Sequence, residues 1–73
     1  MDDDLVTAIM ISGTDQEAQV IVERELAAAG IPCFVEGSVV YGVQVHSQDV
    51  ARAREILTES RELQDHWMQF PRD

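Results

Sequence analysis

Lysine is missing from this chain, and positive charge as a whole is scarce. All five bases are arginine, against 14 acids, so the formal net charge is −9. That balance repels phosphate backbones and no basic stripe interrupts it, so nucleic acid is not an expected partner. Anionic membranes are disfavoured for the same reason. Cys33 is the single cysteine, which rules out an intrachain disulfide. No apolar run approaches the roughly 20 residues of a membrane span. The opening MDDDLV is acidic and has neither the basic region nor the cleavage site of a signal peptide. The cytoplasm is therefore the expected location. The four glycines are dispersed and make no phosphate-binding loop. Internal repeats and low-complexity stretches are also absent.

What is present is the profile of a small globular domain, 45% hydrophobic and 26% charged over 73 residues. One domain is expected over 1–73. Residues 1–4 form a frayed acidic lead-in, and 66–73 form a tail that fits either a last helical turn or a short strand. A chain of this length buries only about 60% of its unfolded surface, so a second subunit would add burial that the chain alone lacks. The acidity itself reads as a solvating surface.

Residues 5–12 (LVTAIMIS) are nearly all apolar and β-favouring, and Ser12-Gly13 ends that strand. Thr14 with Glu17 three residues on makes a T-x-x-E capping box, and Asp15 adds charge where the helix dipole favours it. Ala18, Ile21, Val22, Leu26 and Ala29 then recur at helical spacing. Gly30 supplies the C-terminal cap and Pro32 forbids continuation. Residues 31–36 form a second short strand. Residues 41–46 (YGVQVH) form a third, with Tyr41, Val43 and Val45 on one face and Gly42, Gln44 and His46 on the other. Only a turn separates the two, so they pair as a hairpin. Ser47 is placed to cap a second helix, with Asp49 in its first turn and Val50, Ala53, Ile56, Leu57, Ser60 and Gln64 along one face. Trp67 extends that stripe if the helix runs so far.

The order β-α-β-β-α predicts an α+β, ferredoxin-like fold: a three-stranded antiparallel or mixed sheet of order 1-3-2, with two helices on one face. The missing fourth strand would leave the first as an apolar edge, to be covered by the tail or another subunit. If Val43 and Val45 face the helices, Phe34, Glu36, Gln44 and His46 fall on the open face. The first strand adds either Leu5, Thr7, Ile9 and Ile11, or Val6, Ala8 and Met10. Both sets are largely apolar, and an apolar open face marks an interface or ligand surface.

The residues carrying this pattern resemble a known family. Glu17-Ala18 opening a helix, Leu26 to Pro32 as L-x-x-x-G-I-P, the V-x-G of residues 35–37, the V-x-V of 43–45 and the D-x-x-x-A of 49–53 are similar to the prokaryotic signal-transducing protein family. That family is a small domain of unknown function. The resemblance spans residues 5–57 and rests on caps, core and turns. It implies a ferredoxin-like fold and a regulatory role distantly like that of PII-type proteins. This chain lacks the long loop and the bases that PII-type proteins use for nucleotide phosphates.

Isolated chemistry is sparse. His46 is either a general base or a solvent-facing strand end, and it has no orienting partner in the sequence. Cys33, in an apolar strand, reads as a small hydrophobe rather than a nucleophile. Cys33, His46 and His66 lack the spacing of a metal site, so no metal or other cofactor is expected. The helical glutamates read as a solvated face with arginine partners such as Arg54 and Arg61. The sequence points to a non-enzymatic binding or regulatory module, with a homodimer favoured and a protein partner or small ligand as further options. Ile9, Ile11, Phe34, Gln44 and His46 are the candidate binding residues on the sheet face, and Trp67 and Phe70 a candidate docking tail. The alternatives are a small dimeric enzyme or a metabolite sensor with a sheet-face pocket around His46, in which Gln44, Glu36 or Tyr41 would have to assist.

Overall fold

A computed structural model describes residues 4–71. Of the lead-in expected over 1–4, all but Asp4 lies outside the described residues. The chain is α+β. Strand β1 (Leu5–Ser12) leads to helix α1 (Gln16–Ala28), strands β2 (Phe34–Gly37) and β3 (Val40–His46), helix α2 (Val50–Glu59) and strand β4 (Met68–Gln69). The sheet has four strands in the order β2-β3-β1-β4, and every pairing is antiparallel. The expected sheet had three. The tail supplies the fourth, pairing Met68 and Gln69 with Ile11 and Met10.

Helix α1 starts one residue later than the capping box predicts. Asp15 is the N-cap, and its Oδ1 accepts from the Ala18 N–H at 3.0 Å. The carboxylate satisfies a free helical donor and meets the positive end of the dipole, two gains that a threonine hydroxyl cannot combine. Thr14 bonds Ser12 instead, with the hydroxyls 3.0 Å apart. Glu17 is thus only the second helical residue, and no T-x-x-E box forms. At the other end Gly30 takes φ +75°, its N–H bonds the Ala27 carbonyl and the Ile31 N–H bonds that of Leu26. This is a Schellman cap, and Ile31 beyond it is buried.

Helix α2 follows a 3₁₀ turn over Ser47–Asp49 and has no side-chain N-cap bond from Asp49. It ends at Glu59, because Ser60 turns to an extended conformation. A second 3₁₀ turn, Glu62–Asp65, then brings Leu63 into the core. Trp67 therefore does not extend a helical stripe, and Gln64 lies exposed. One core joins both helices to the sheet: Ala18, Ile21, Val22 and Leu26 from α1, Ala53 and Leu57 from α2, and Val43 and Val45 from β3 meet Ala8, Ile9 and Ile11 of β1.

Strand β1 contains the feature that sets the two faces. Val6 pairs with Val45 and Thr7 with Gln44, but the next partner, Val43, takes Ile9. Ala8 is an extra residue, a bulge. Partners across an antiparallel ladder share a face. Val6, Ile9 and Ile11 therefore lie with Val45, Val43 and Tyr41, while Leu5, Thr7, Met10 and Ser12 lie with His46, Gln44, Gly42 and Val40. The strand follows one of the two anticipated phases before Ala8 and the other after it. Ile9 and Ile11, expected on the open face, are completely buried in the core. The bulge also exposes two carbonyls to α2: Arg54 donates from Nη2 to the Thr7 oxygen at 3.0 Å and from Nε to the Ala8 oxygen at 3.3 Å. An arginine expected on the solvated helix face thus reaches the sheet.

Candidate functional site

The face of the sheet turned away from the core is the candidate site. Sheet register alone brings its side chains together. Phe34 lies opposite Gln44, Gln44 opposite Thr7, and His46 opposite Leu5. Leu5, Phe34, Val40 and Trp67 each leave 42–51% of their surface exposed, far more than a solvated strand face ordinarily leaves to large apolar groups. Glu36 and His46 are the only ionisable residues that the described strands place on this face. Of the five candidate sheet-face residues, Phe34, Gln44 and His46 are together here; Ile9 and Ile11 are on the opposite side.

His46 ends β3 with its ring edge-on to Phe34, centroids 6.1 Å apart and planes at 88°. Its Nδ1 is buried and has no hydrogen-bond partner among the described residues. A general base needs a group to orient it. Here the ring rests on a phenyl group, and Tyr41, one of the side chains that could have assisted, packs against the core.

The two tail candidates separate. Phe70 packs against the core. Trp67 instead lines a groove of about 300 Å³ with Ser12, Val39 and Val40, continuous with the open face through Ser12 and Val40. A second hollow, about 380 Å³, lies by the C-terminal end of α2 and is lined by Glu25, Ile56, Glu59, Ser60, Arg61 and Glu62. It is polar, and Glu62 on its rim is already paired with Arg24.

Cys33 is half-buried, and burial, reinforced by the Glu23 charge, pushes its thiol above the ordinary range. That is the opposite of what a nucleophile requires. Among the described residues no three His, Cys, Asp or Glu side chains are grouped to hold a metal ion.

One polar cluster had no signal in the sequence. His66 Nδ1 lies 2.6 Å from Asp15 Oδ2, and Nε2 lies 3.3 Å from Glu17 Oε1. The hydrogen bond to Asp15 raises the His66 pKa above its ordinary 6.5. The Ala18 N–H and then His66 hold Asp15 below its ordinary 3.8. Loss of the capping box explains how Glu17 comes to be there: released from the N-cap, its side chain turns to the imidazole.

No family model, curated protein or solved structure matches the chain. Among the described residues no helix is long and apolar enough to cross a membrane.

Proposed function

We propose that this chain is a non-enzymatic binding module of ferredoxin-like arrangement that associates with a second copy of itself through the open sheet face. The element order β-α-β-β-α-β and the strand order β2-β3-β1-β4 support the arrangement. The observation that carries the association is the contrast between a sheet face with one acid on its strands and four exposed large apolar side chains, and a chain of net charge −9. Two copies meeting through their helices would oppose exposed acids such as Glu23, Glu55 and Glu59. Two copies meeting through the sheet bury Leu5, Phe34, Val40 and Trp67, with one acid each, Glu36, on the strands. Depletion of charge is the usual composition of an interface core. The regulatory role implied by the resemblance to signal-transducing domains fits a module whose signal is carried by association, within the cytoplasm.

Light scattering on a sizing column, across a range of concentrations, tests this. A dimer whose Phe34→Asp variant is a folded monomer is the expected result. A monomeric wild type at high concentration would overturn the proposal. The groove beside Trp67 favours a second reading, a sensor of small apolar metabolites. A ligand of that kind raises the melting temperature with the logarithm of its concentration over its native-state Kd and perturbs Trp67 fluorescence.

A further inference from the structure

We infer that residues 66–70 form a pH-sensitive latch: the imidazolium of His66, held between Asp15 and Glu17, fastens β4 onto the edge of β1, and loss of its proton releases that edge and the Trp67 groove together.

The β4 ladder is short. It pairs through two residues only, Met68 and Gln69, against Ile11 and Met10. Two-residue strands have few ladder bonds of their own, so their position depends on what flanks them. Downstream lie Met68 and Phe70, partly buried against the core; upstream lies Leu63, fully buried. Between these anchors the chain is pinned at His66. Its backbone N–H bonds the Leu63 carbonyl, and its ring joins the tail to the N-terminus of α1, 51 residues away.

The ring has carboxylate oxygens at both nitrogens. A neutral imidazole carries one N–H and one lone pair, so it can satisfy one oxygen and must turn its lone pair toward the other. Only the doubly protonated ring both donates to Asp15 and presents a charged N–H to the Glu17 oxygen within ion-pair reach. The titratable groups facing it are Asp15 at the N-cap, Glu17 in the first turn of α1 and Asp65 beside it in the chain, all acids that favour the cation. The ring is 16% exposed and Asp15 24%, so water replaces their contact poorly, whereas Glu17 at 77% stays open to solvent. Asp15 divides its two oxygens between the Ala18 N–H and His66. The latch and the helix cap therefore share one carboxylate.

The sign follows from the two directions of shift. His66 is raised above 6.5, so its contribution is complete below 6.5 and is lost as pH rises through the folded value. Asp15 is lowered below 3.8, so its contribution is present above 3.8 and is lost as pH falls through its folded value. The latch is closed in between and opens on the alkaline side. Opening uncovers the Met10 and Ile11 edge of β1 and removes the Trp67 wall of the groove.

Amide hydrogen exchange of the folded full chain at pH 6 to 9 tests the latch, read as protection factors of those amides of Met10, Ile11, Met68 and Gln69 that donate across the β1–β4 pairing, one from each strand, since the alternate N–H of β1 turns to β3 and that of β4 to the open edge. The core amides of Ala53 and Leu57 are the control for global unfolding. Protection at these cross-strand amides should fall by up to about tenfold per pH unit between 6.5 and the raised folded value, while the core stays protected. In His66→Gln it should be low and flat with pH. In Glu17→Gln, an exposed substitution that leaves the Asp15 cap intact, the fall should begin at lower pH. Latch protection in the wild type that is constant across this range, or a Glu17→Gln profile that coincides with the wild type, would overturn the inference even if His66→Gln failed to fold. The same profile measured in Phe34→Asp keeps the latch apart from association through the sheet face, which would itself hold Trp67 in place.

Discussion

Phe34 and His46 meet edge to face across the β2–β3 hairpin, at the β2 edge of the one surface that the strands leave almost free of charge. An acid at position 34 would place a charge inside a face-to-face contact while touching nothing in the core. Phe34→Asp should weaken dimerisation at least about tenfold, roughly 1.4 kcal/mol, with circular dichroism unchanged. Ile9→Asp, on the opposite side of the same sheet, should abolish folding instead, because it buries an unpaired carboxylate. If both variants behave alike, the assignment of the two faces is wrong.

Leu63 closes the core from a turn rather than from a helix or strand, and it is completely buried. Leu63→Ala should cost about 2–5 kcal/mol in urea unfolding, the range of a large core truncation. A cost below about 1 kcal/mol would show that the turn is not seated as described.

Gly13 donates its N–H to the Val39 carbonyl at 2.9 Å, so the loop before α1 lies directly on the β2–β3 turn. A Cβ there would stand 2.1 Å from the Ser38 carbonyl oxygen and 2.8 Å from that of Val39. These are backbone atoms that cannot swing aside. Gly13→Ala should destabilise by more than about 1 kcal/mol and lower the melting temperature; an unchanged melting curve would count against the contact.

Asp15 should leave a signature in acid. Its folded pKa is depressed, so its share of stability disappears as pH falls from its ordinary 3.8 through the lower folded value. Asp15→Asn keeps a good capping oxygen without the charge. The variant should therefore lose less stability than the wild type over that acid range, measured by denaturant unfolding at stepped pH. Parallel acid limbs for the two proteins would refute it.

The parts of this fold legible in the sequence are those where one residue type has a single physical use. Gly30 before Ile31 ends α1 with a Schellman cap. Ala18, Ile21, Val22 and Leu26 give its buried stripe, and Val43 with Val45 gives the inner face of β3. What stayed hidden has matching reasons. In the uniformly apolar β1 no alternation marks where the phase changes, so the bulge at Ala8 leaves no trace in the sequence and the pattern alone puts Ile9 and Ile11 on the open face. Helix α2 stops at Ser60 without a glycine or proline, because returning Leu63 to the core outweighs another helical turn. The His66–Asp15 contact joins residues far apart in the chain, and local pattern carries no information across that distance. In the candidate site, Phe34, Gln44 and His46 were legible from the alternation of one hairpin; the groove beside Trp67 depended on the tail becoming a strand.

β1 uses eight residues where β3 uses seven. Removing Ala8 would bring Thr7 and Ile9 into consecutive register opposite Gln44 and Val43, so every cross-strand pair on both faces would survive. What would go is the sharper local twist that a bulge imposes. The curvature of the sheet, and with it how closely two such faces can nest, is thus set by a residue that takes part in none of those pairs.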